Sequence, residues 1–426
     1  MKLVCAPPKH PSLSEVPRGT PCVMLFGRSL KAGVISTGLG ILQKIDHRRL
    51  APAPRAWDLL SVALAVNAAD QSLPRSMSPD GWTREIELEV AVQDQKFWNS
   101  KRVDLDALLR FLTTDIWKVS FLDGGQPAPE AKSLFAPRED SACLLSGGLD
   151  SLAGAIDLAA RGRKLLAVSQ VAAGDKTHQA EFAERIGSGL YHLQLNHNAH
   201  GWAEGERSQR ARSLVFLAYG LLAATCLQAH RNGNAATLFV PENGFISINP
   251  PLTPDRLGSL STRTTHPVFM TGLQELVASM GLRIKIENPF QFETKGEALR
   301  RCRRQPLLRE LASSSTSCGR FARNAFTHCG RCVPCLIRRA SFHRWGQADE
   351  TEYRYEQLSR QDRKHALFDD VRSMQIAIEA VRAHGAPLWM GQTLSSKRID
   401  DPGKYAAVVE RGLKEVRAFL RAQGLR

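Results

Sequence analysis

Hydrophobic residues along the chain recur with two spacings. In "IELEVAV" (86–92) they alternate with period two, the mark of a half-buried strand, whereas Leu59, Leu60, Ala63, Leu64 and Ala68 fall on one face of a helix. From about residue 139 the two kinds of segment take turns. The strands predicted there are 142–146, "KLLAVSQV" (164–171), "LYHLQL" (190–195), "ATLFV" (236–240) and "RIKIE" (283–287). Between them lie "SLAGAIDLAARG", "HQAEFAERIG", the long 205–230 segment and "PVFMTGLQELVASMG". Such alternation requires crossover connections, so the fold class expected is α/β, a parallel sheet with helices on both faces. Ligands of such sheets sit at the carboxyl ends of the strands.

The pattern before and after this region differs. Residues 1–138 mix strand-like pieces ("CVMLFG", "TREIELEVAV") with helical ones ("AWDLLSVALAVNAAD" and "DLDALLRFLTTDIWKVSF", 104–121), and predict a separate α+β domain. Its Trp57, Trp82, Trp98 and Trp117 are expected to fill the core or its rim. A linker rich in Gly, Pro and charge, "GGQPAPEAKSLFAPRED" (124–140), sets the boundary. Residues 139–345 form the second domain, and 346–426 a helical tail of two or more amphipathic helices.

At the first strand exit of the second domain stands "SGGLDS" (146–151). A tight Gly-Gly turn exposes backbone N–H groups, and the helix after it adds the partial positive charge of its N-terminus, so the two make an anion site. A Walker A loop needs GxxxxGK[ST], and no such lysine is present here. A plain hairpin turn needs a second strand, whereas the next element is a helix with Asp150 and Ser151 in its first turn.

Four of the nine cysteines lie within eighteen residues, as Cys318, Cys329, Cys332 and Cys335. C-x2-C-x2-C lets one tight turn present three thiolates, and the fourth closes a tetrahedron with no open position, which is a structural zinc site. Iron–sulfur clusters use similar cysteines, but with the fourth thiolate in place and no proline after Cys335, zinc is preferred. His328 and His343 are the alternative fourth ligands, and the remaining cysteines read as small buried apolar residues. A cysteine cluster of this kind in a chain whose first residues have no signal-peptide core points to a reducing cytoplasm. The longest apolar run, "SLVFLAYGLLAATCLQA" (213–229), is shorter than the ~20 residues that span a bilayer and predicts a buried helix, with no membrane. Lys+Arg 57 against Asp+Glu 42 leaves a net +15, which suits acidic partners, nucleic acid among them; the charges are spread, with short clusters such as "RRCRR" (300–304).

SGGLDS followed by a late four-cysteine loop resembles the PP-loop ATP pyrophosphatases, whose fold is adenine nucleotide alpha hydrolase-like, and among them the QueC-like (7-cyano-7-deazaguanine synthase) group. The family's late pattern is matched by "ENPFQFETKGEALR", with Lys295 and Glu297, and then by Ser317, Cys318 and "CGRCVPC". Its middle pair is matched by Arg212-Ser213, and its Gly…His…Glu loosely by Gly174, His178 and Glu181. The resemblance covers about 139–345. In place of an Asp- and Tyr-rich segment the chain has "VPENGFISINPPLTPDRLGSLSTRTTHPVF", and the first domain and the tail are additions of the kind found in QueC-like proteins of anti-phage operons.

The resemblance implies ATP, Mg²⁺ and Zn²⁺ as cofactors. Ser146, Gly147, Gly148, Leu149, Asp150 and Ser151 would hold the phosphates, with Asp150 also holding Mg²⁺. Lys295 and Arg212 would be cationic partners of the phosphates, unless each only makes a surface ion pair. Glu242 and Asn243 would touch substrate, unless "PENG" is a mere turn. The expected reaction adenylates the carboxylate of a deazaguanine acid for attack by ammonia or by an amine of a partner protein encoded in the same operon. A PP-loop enzyme acting on tRNA and a non-catalytic nucleotide-binding scaffold are the competing expectations.

Overall fold

The computed structural model describes residues 1–425 apart from 15–20, 30, 32, 131–132, 198, 200–204, 207–208, 254–262 and 359–368. It holds two five-stranded sheets, each all parallel. The first consists of β1 (Lys2–Ala6), β2 (Cys22–Leu25), β3 (Val34–Thr37), β4 (Glu85–Ala91) and β5 (Ile116–Leu122), in the order β3-β2-β1-β4-β5. The second consists of β6 (Ser141–Leu144), β7 (Leu165–Gln170), β8 (Tyr191–Leu195), β9 (Ala236–Phe239) and β10 (Ile284–Glu287), in the order β10-β9-β6-β7-β8. The longer helices are α1 (Leu39–His47), α2 (Pro54–Ser72), α3 (Gln95–Ser100), α4 (Arg102–Thr113), α5 (Leu149–Ala160), α6 (Lys176–Arg185), α7 (Arg212–Cys226), α8 (Pro267–Ser279), α9 (Lys295–Arg301), α10 (Gln305–Ala312), α11 (Val333–Trp345), α12 (Asp369–His384) and α13 (Pro402–Ala422).

The five strands predicted after residue 139 are present within one or two residues, and the buried helix predicted at 213–229 is α7 with a further short turn. The first unit differs from expectation. It is not α+β: its strands are all parallel, because helices carry the chain over the sheet between β3 and β4 and again between β4 and β5. The expected helix over 104–121 stops at Thr113, where Thr114 turns left-handed with φ 64°, and "IWKVSFL" alternates as strand β5. The helical pattern thus gives way to a second half with period two. Of the tryptophans, Trp57, Trp98 and Trp117 are buried and Trp82 lies at the rim.

Helix α2 is buried nearly all round, with residues 56–70 closed off on every face. A helix apolar nearly all round belongs in the centre of a structure, its buried polar residues Asp58 and Asp70 being paired by hydrogen bonds. It lies between the first sheet and α7, and one apolar cluster runs through β1, α2, α7 and the β6–β7 face of the second sheet. Between the sheets, 124–140 has neither helix nor strand among its described residues. The tail is helical as expected, with α12 and α13 packed beside α11 in a second cluster; of the helix expected from "YEQLSRQDRKHALFDDVRSMQIAIEAVRAH" (355–384), 369–384 form α12, and 359–368 lie outside the described residues.

Close packing makes two glycines diagnostic. A Cβ on Gly154 of α5 would stand 2.4 Å from Pro241 Cβ, whereas one on Gly40 of α1 would meet open space. Gly154→Ala is therefore expected to lower stability by about 1–3 kcal/mol, and Gly40→Ala to raise it by about 0.5–1 kcal/mol, as read from urea unfolding midpoints.

Candidate functional site

In the second sheet β6 is the strand at which the order turns. The chain goes from β6 outward through β7 to β8, then returns to lay β9 on the other side of β6. The helices that leave β6 and β9 diverge, so a crevice opens between their carboxyl ends. SGGLDS leaves β6 into this crevice, Pro241-Glu242-Asn243 leaves β9, and Lys295 comes after β10 at the first position of α9. A cavity of ≈ 270 Å³ is lined by Ser146, Gly148, Asp150 and Ser151 from the loop, Glu242 and Lys295 from the other exits, and Thr316, Ser317 and Pro334 from the cysteine loop.

The loop is laced from within. Ser151 Oγ donates to Gly148 O (2.9 Å), accepts from Ser146 N (3.1 Å) and lies 2.9 Å from Ser146 Oγ. Gly147 has φ 92°, a conformation that only glycine adopts without strain, and its carbonyl accepts from Thr316 N at 2.9 Å. Gln179 of α6 is fully buried and donates through one amide to Ser146 O (2.9 Å) and Gln170 O (3.0 Å). No side chain caps α5, whose N-cap is Gly148, so the N–H groups of Leu149, Asp150 and Ser151 have no intrahelical acceptor. The result is a hydrogen-bonded loop whose helix N-terminus has no side-chain cap and is bridged by the backbone of Thr316, suited to an anion.

Asp150 joins the three strand exits. Its Oδ2 accepts from Lys295 Nζ at 2.7 Å and from Asn243 Nδ2 at 2.9 Å, with both charged side chains about nine-tenths buried. Burial alone would raise the Asp150 pKa; the Lys295 ammonium, with the hydrogen bonds that Lys295 and Asn243 donate, brings it below the ordinary carboxylate value. Its other oxygen, Oδ1, is buried and finds no donor among the described residues. Asn243 is itself fully buried, accepts from Ile246 N as a helix cap, and donates to Glu242 Oε1 (3.3 Å). Asn243 thus holds Asp150, while Glu242 lines the cavity.

The other residues singled out in the sequence lie around this centre. Thr294 and Glu297 form a capping box that starts α9, and Glu297 pairs with Arg411 of α13 at 2.7 Å. Lys295 is therefore held by a helix whose cap is braced by the tail. Arg212 begins α7, is exposed and is not part of the cavity lining; its charge reaches Asp175, which packs against Gly147. Gly174 has φ 87°, His178 stacks on Phe182, and Glu181 lies further along α6 without reaching the cavity lining. Thr316, Gln179 and Asp175 carry no motif and are missed by sequence reasoning; only their nearness to the glycine pair marks them.

The four cysteines are buried, with their sulfurs within 4.8 Å of one another, and Cys318–Cys332 and Cys329–Cys335 are each 3.9 Å apart. A zinc–sulfur bond of about 2.3 Å in a tetrahedron sets sulfurs about 3.8 Å apart, so the four fit a zinc ion with no open position. Backbone N–H groups of Arg320 and Cys329 donate to Cys318 Sγ, and that of Cys332 to Cys329 Sγ, each at 3.3 Å. Such donors favour thiolate over thiol. Beside the cluster, Arg338 is fully buried and donates to Ser315, Ser317 and Thr351 hydroxyls and to the Ala312 and Ser313 carbonyls. His328 is held at about 4 by burial and by the Arg338 charge, and its Nε2 accepts from Ser317 N, so it serves the loop and not the metal cluster. His343 is on α11 against Phe419.

No protein-family model matches the chain, and no curated protein matches it. Among the described residues, no helix is long and apolar enough to cross a membrane.

This geometry predicts two outcomes. Cys332→Ser is expected to remove one tightly held zinc per chain, measured by elemental analysis, and to speed proteolysis within 318–332, because the metal is what would tie Cys318 to the 329–335 turn. Glu415 of α13 accepts from Thr294 Oγ1 at 2.6 Å, and burial pushes its pKa up to about 7, against the Thr294 hydrogen bond. A carboxyl raised in the fold favours folding fully below its ordinary value of about 4.5, and that contribution is lost as pH rises to about 7. Glu415→Gln should therefore gain stability relative to the parent between these pH values, as measured by denaturant unfolding across the range.

Proposed function

We propose that the chain is a QueC-like PP-loop ATP pyrophosphatase that adenylates a carboxylate. The observation that carries this reading is the amino end of α5, which has no side-chain cap and lies at a cavity lined also by a buried lysine and by Asp150, one of whose oxygens has no donor among the described residues. The N–H groups of Leu149, Asp150 and Ser151, with the Ser146 and Ser151 hydroxyls, would bind the β- and γ-phosphates, and Lys295 would offset their charge. The orphaned Asp150 Oδ1 and the neighbouring Glu242 suit a divalent cation, which when bound would neutralise charge building on the leaving pyrophosphate. A substrate carboxylate oxygen attacks the α-phosphorus, and the bond from that phosphorus to the α,β-bridging oxygen breaks. Pyrophosphate leaves. An amine then attacks the acyl carbon, AMP departs with the carboxyl oxygen that joined it, and the amine's proton passes to solvent.

The carboxylate best suited to the resemblance is 7-carboxy-7-deazaguanine or a relative, and the amine is ammonia or belongs to a partner protein. The added first unit and helical tail resemble those of the QatC protein of the Qat anti-phage system, and on that resemblance the activity belongs to antiviral defence in the cytoplasm. The +15 charge favours a second reading, a PP-loop enzyme acting on tRNA. Against its thiolating form, all nine cysteines are buried, and burial pushes Cys143, the one nearest the loop in sequence, up to about 12.

Incubating the protein with Mg-ATP and a panel of deazaguanine acids tests the reading. AMP and pyrophosphate are expected, falling about 100-fold or more in Asp150→Asn. Release of ADP and phosphate, or no turnover with any acid while RNA binds tightly in a salt-sensitive way, would overturn it.

A further inference from the structure

The two sheets repeat one design. In each unit the first three strands run outward, a crossover helix returns the chain, and the fourth strand lies on the other side of the first. Those crossover helices are α2 and α7, and they lie against each other; the next pair of crossover helices, α4 and α8, also meet. At the ends of β3 and β8 the Thr37 hydroxyl donates to the His197 carbonyl at 2.9 Å. Counterpart touching counterpart is how two copies of a unit pair about a two-fold axis. The chain is built as such a pair within one polypeptide.

The halves are unequal. The first has "PPKH" after β1 where the second has its glycine pair. Its strand exits are closely packed: Phe26 stacks on Trp57 with centroids 4.9 Å apart, a Cβ on Gly27 would fall 2.4 Å from Pro8, and one on Gly125 would fall 2.4 Å from the Val92 backbone. What the first half supplies lies at its seam with the second.

At that seam each crossover helix reaches the start of the other. Thr225 Oγ1, in the last turn of α7, accepts from Ala53 N just before α2 at 3.1 Å. Asp70, in the last turn of α2, accepts through Oδ2 from Arg210 N at 2.5 Å and Ala211 N at 2.7 Å, just before α7. Its other oxygen takes Arg84 Nη2 at 2.5 Å, and Asp115 bridges Arg84 and Arg75. The Arg210 side chain is buried and donates to Thr113 O (2.6 Å) and Thr114 Oγ1 (2.8 Å). The backbone at 210–211 is thereby bolted to the first half. The next residue is Arg212, exposed, with no hydrogen bond or ion pair among the described residues. Its charge is felt at Asp175, which packs 3.2 Å from where a Gly147 Cβ would stand, and at the buried His197.

We propose that Asp70 is a positioning residue for Arg212: the first half of the chain is a nucleotide-free counterpart of the second, and it fixes the start of α7 so that Arg212 faces the phosphates. This rests on the reading of SGGLDS as a phosphate loop. It gives the first unit a role in the second unit's site, although it lines no part of the cavity.

A double-mutant cycle tests it, with KM for ATP and kcat measured for Asp70→Asn, Arg212→Gln and the pair. Asp70→Asn is expected to raise KM about tenfold in the parent and less than twofold in the Arg212→Gln background, since the loss of a hydrogen bond to a charged group is of that size. Thermal unfolding of all four proteins separates this from a general loss of stability. Effects that multiply independently would overturn the proposal while leaving the site reading intact. Arg212→Gln without effect, with Asp150→Asn still inactive, would overturn it in the same way; both without effect would overturn the site reading as well. If Asp70→Asn does not fold, Asp70→Glu, which keeps the charge and displaces the carboxylate, runs the same cycle.

Discussion

The site depends on one buried carboxylate. Asp150 starts from β6, Asn243 from β9 and Lys295 from β10, and each would be free to move with its own loop were it not for the Asp150 Oδ2 atom that takes a hydrogen bond from both partners. Burying a charge this deeply is costly unless it is paired, and removing one member of such a pair costs about 3–5 kcal/mol because the other remains. The arrangement therefore forces the three strand exits to close together. It also leaves Asp150 Oδ1 buried without a donor among the described residues, in a side chain that lines the cavity, which is the feature a stability argument alone does not explain.

Around that carboxylate the remaining parts act as braces. The cysteine loop supplies Thr316 N to hold Gly147 O, and its fit to zinc explains how a segment rich in Ser, Gly and Arg keeps a fixed wall. The tail braces α9 through Glu297–Arg411 and Thr294–Glu415. The first unit braces α7 through Asp70. Three additions to the central sheet thus converge on the three elements that carry Lys295, the loop and Arg212.

Much of this is legible in the sequence because local rules and the fold agree. Five strands and the buried α7 are readable from periodicity, and the cysteine spacing and the glycine pair each state a geometry that the structure shows. The illegible part is long-range. β5 is hidden because its residues come after a strong helix with only Thr114 to mark the break. The parallel order of the first sheet cannot be read when, among the described residues, no α-helix joins β1 to β2 or β2 to β3. Asp70, 140 residues from Arg210 in the chain, carries no motif, and neither does Gln179. The sequence suggests Asn243 as a substrate contact, whereas in the structure its amide is spent on Asp150.

The most direct measurement is a crystal structure of the chain with Mg²⁺ and an ATP analogue whose α,β-bridge is methylene. The account predicts β- and γ-phosphate oxygens against the amides of Leu149, Asp150 and Ser151, with Lys295 alongside and the α-phosphorus open toward Glu242. Phosphates bound elsewhere, or a loop that excludes them while the analogue occupies another cleft, would contradict it.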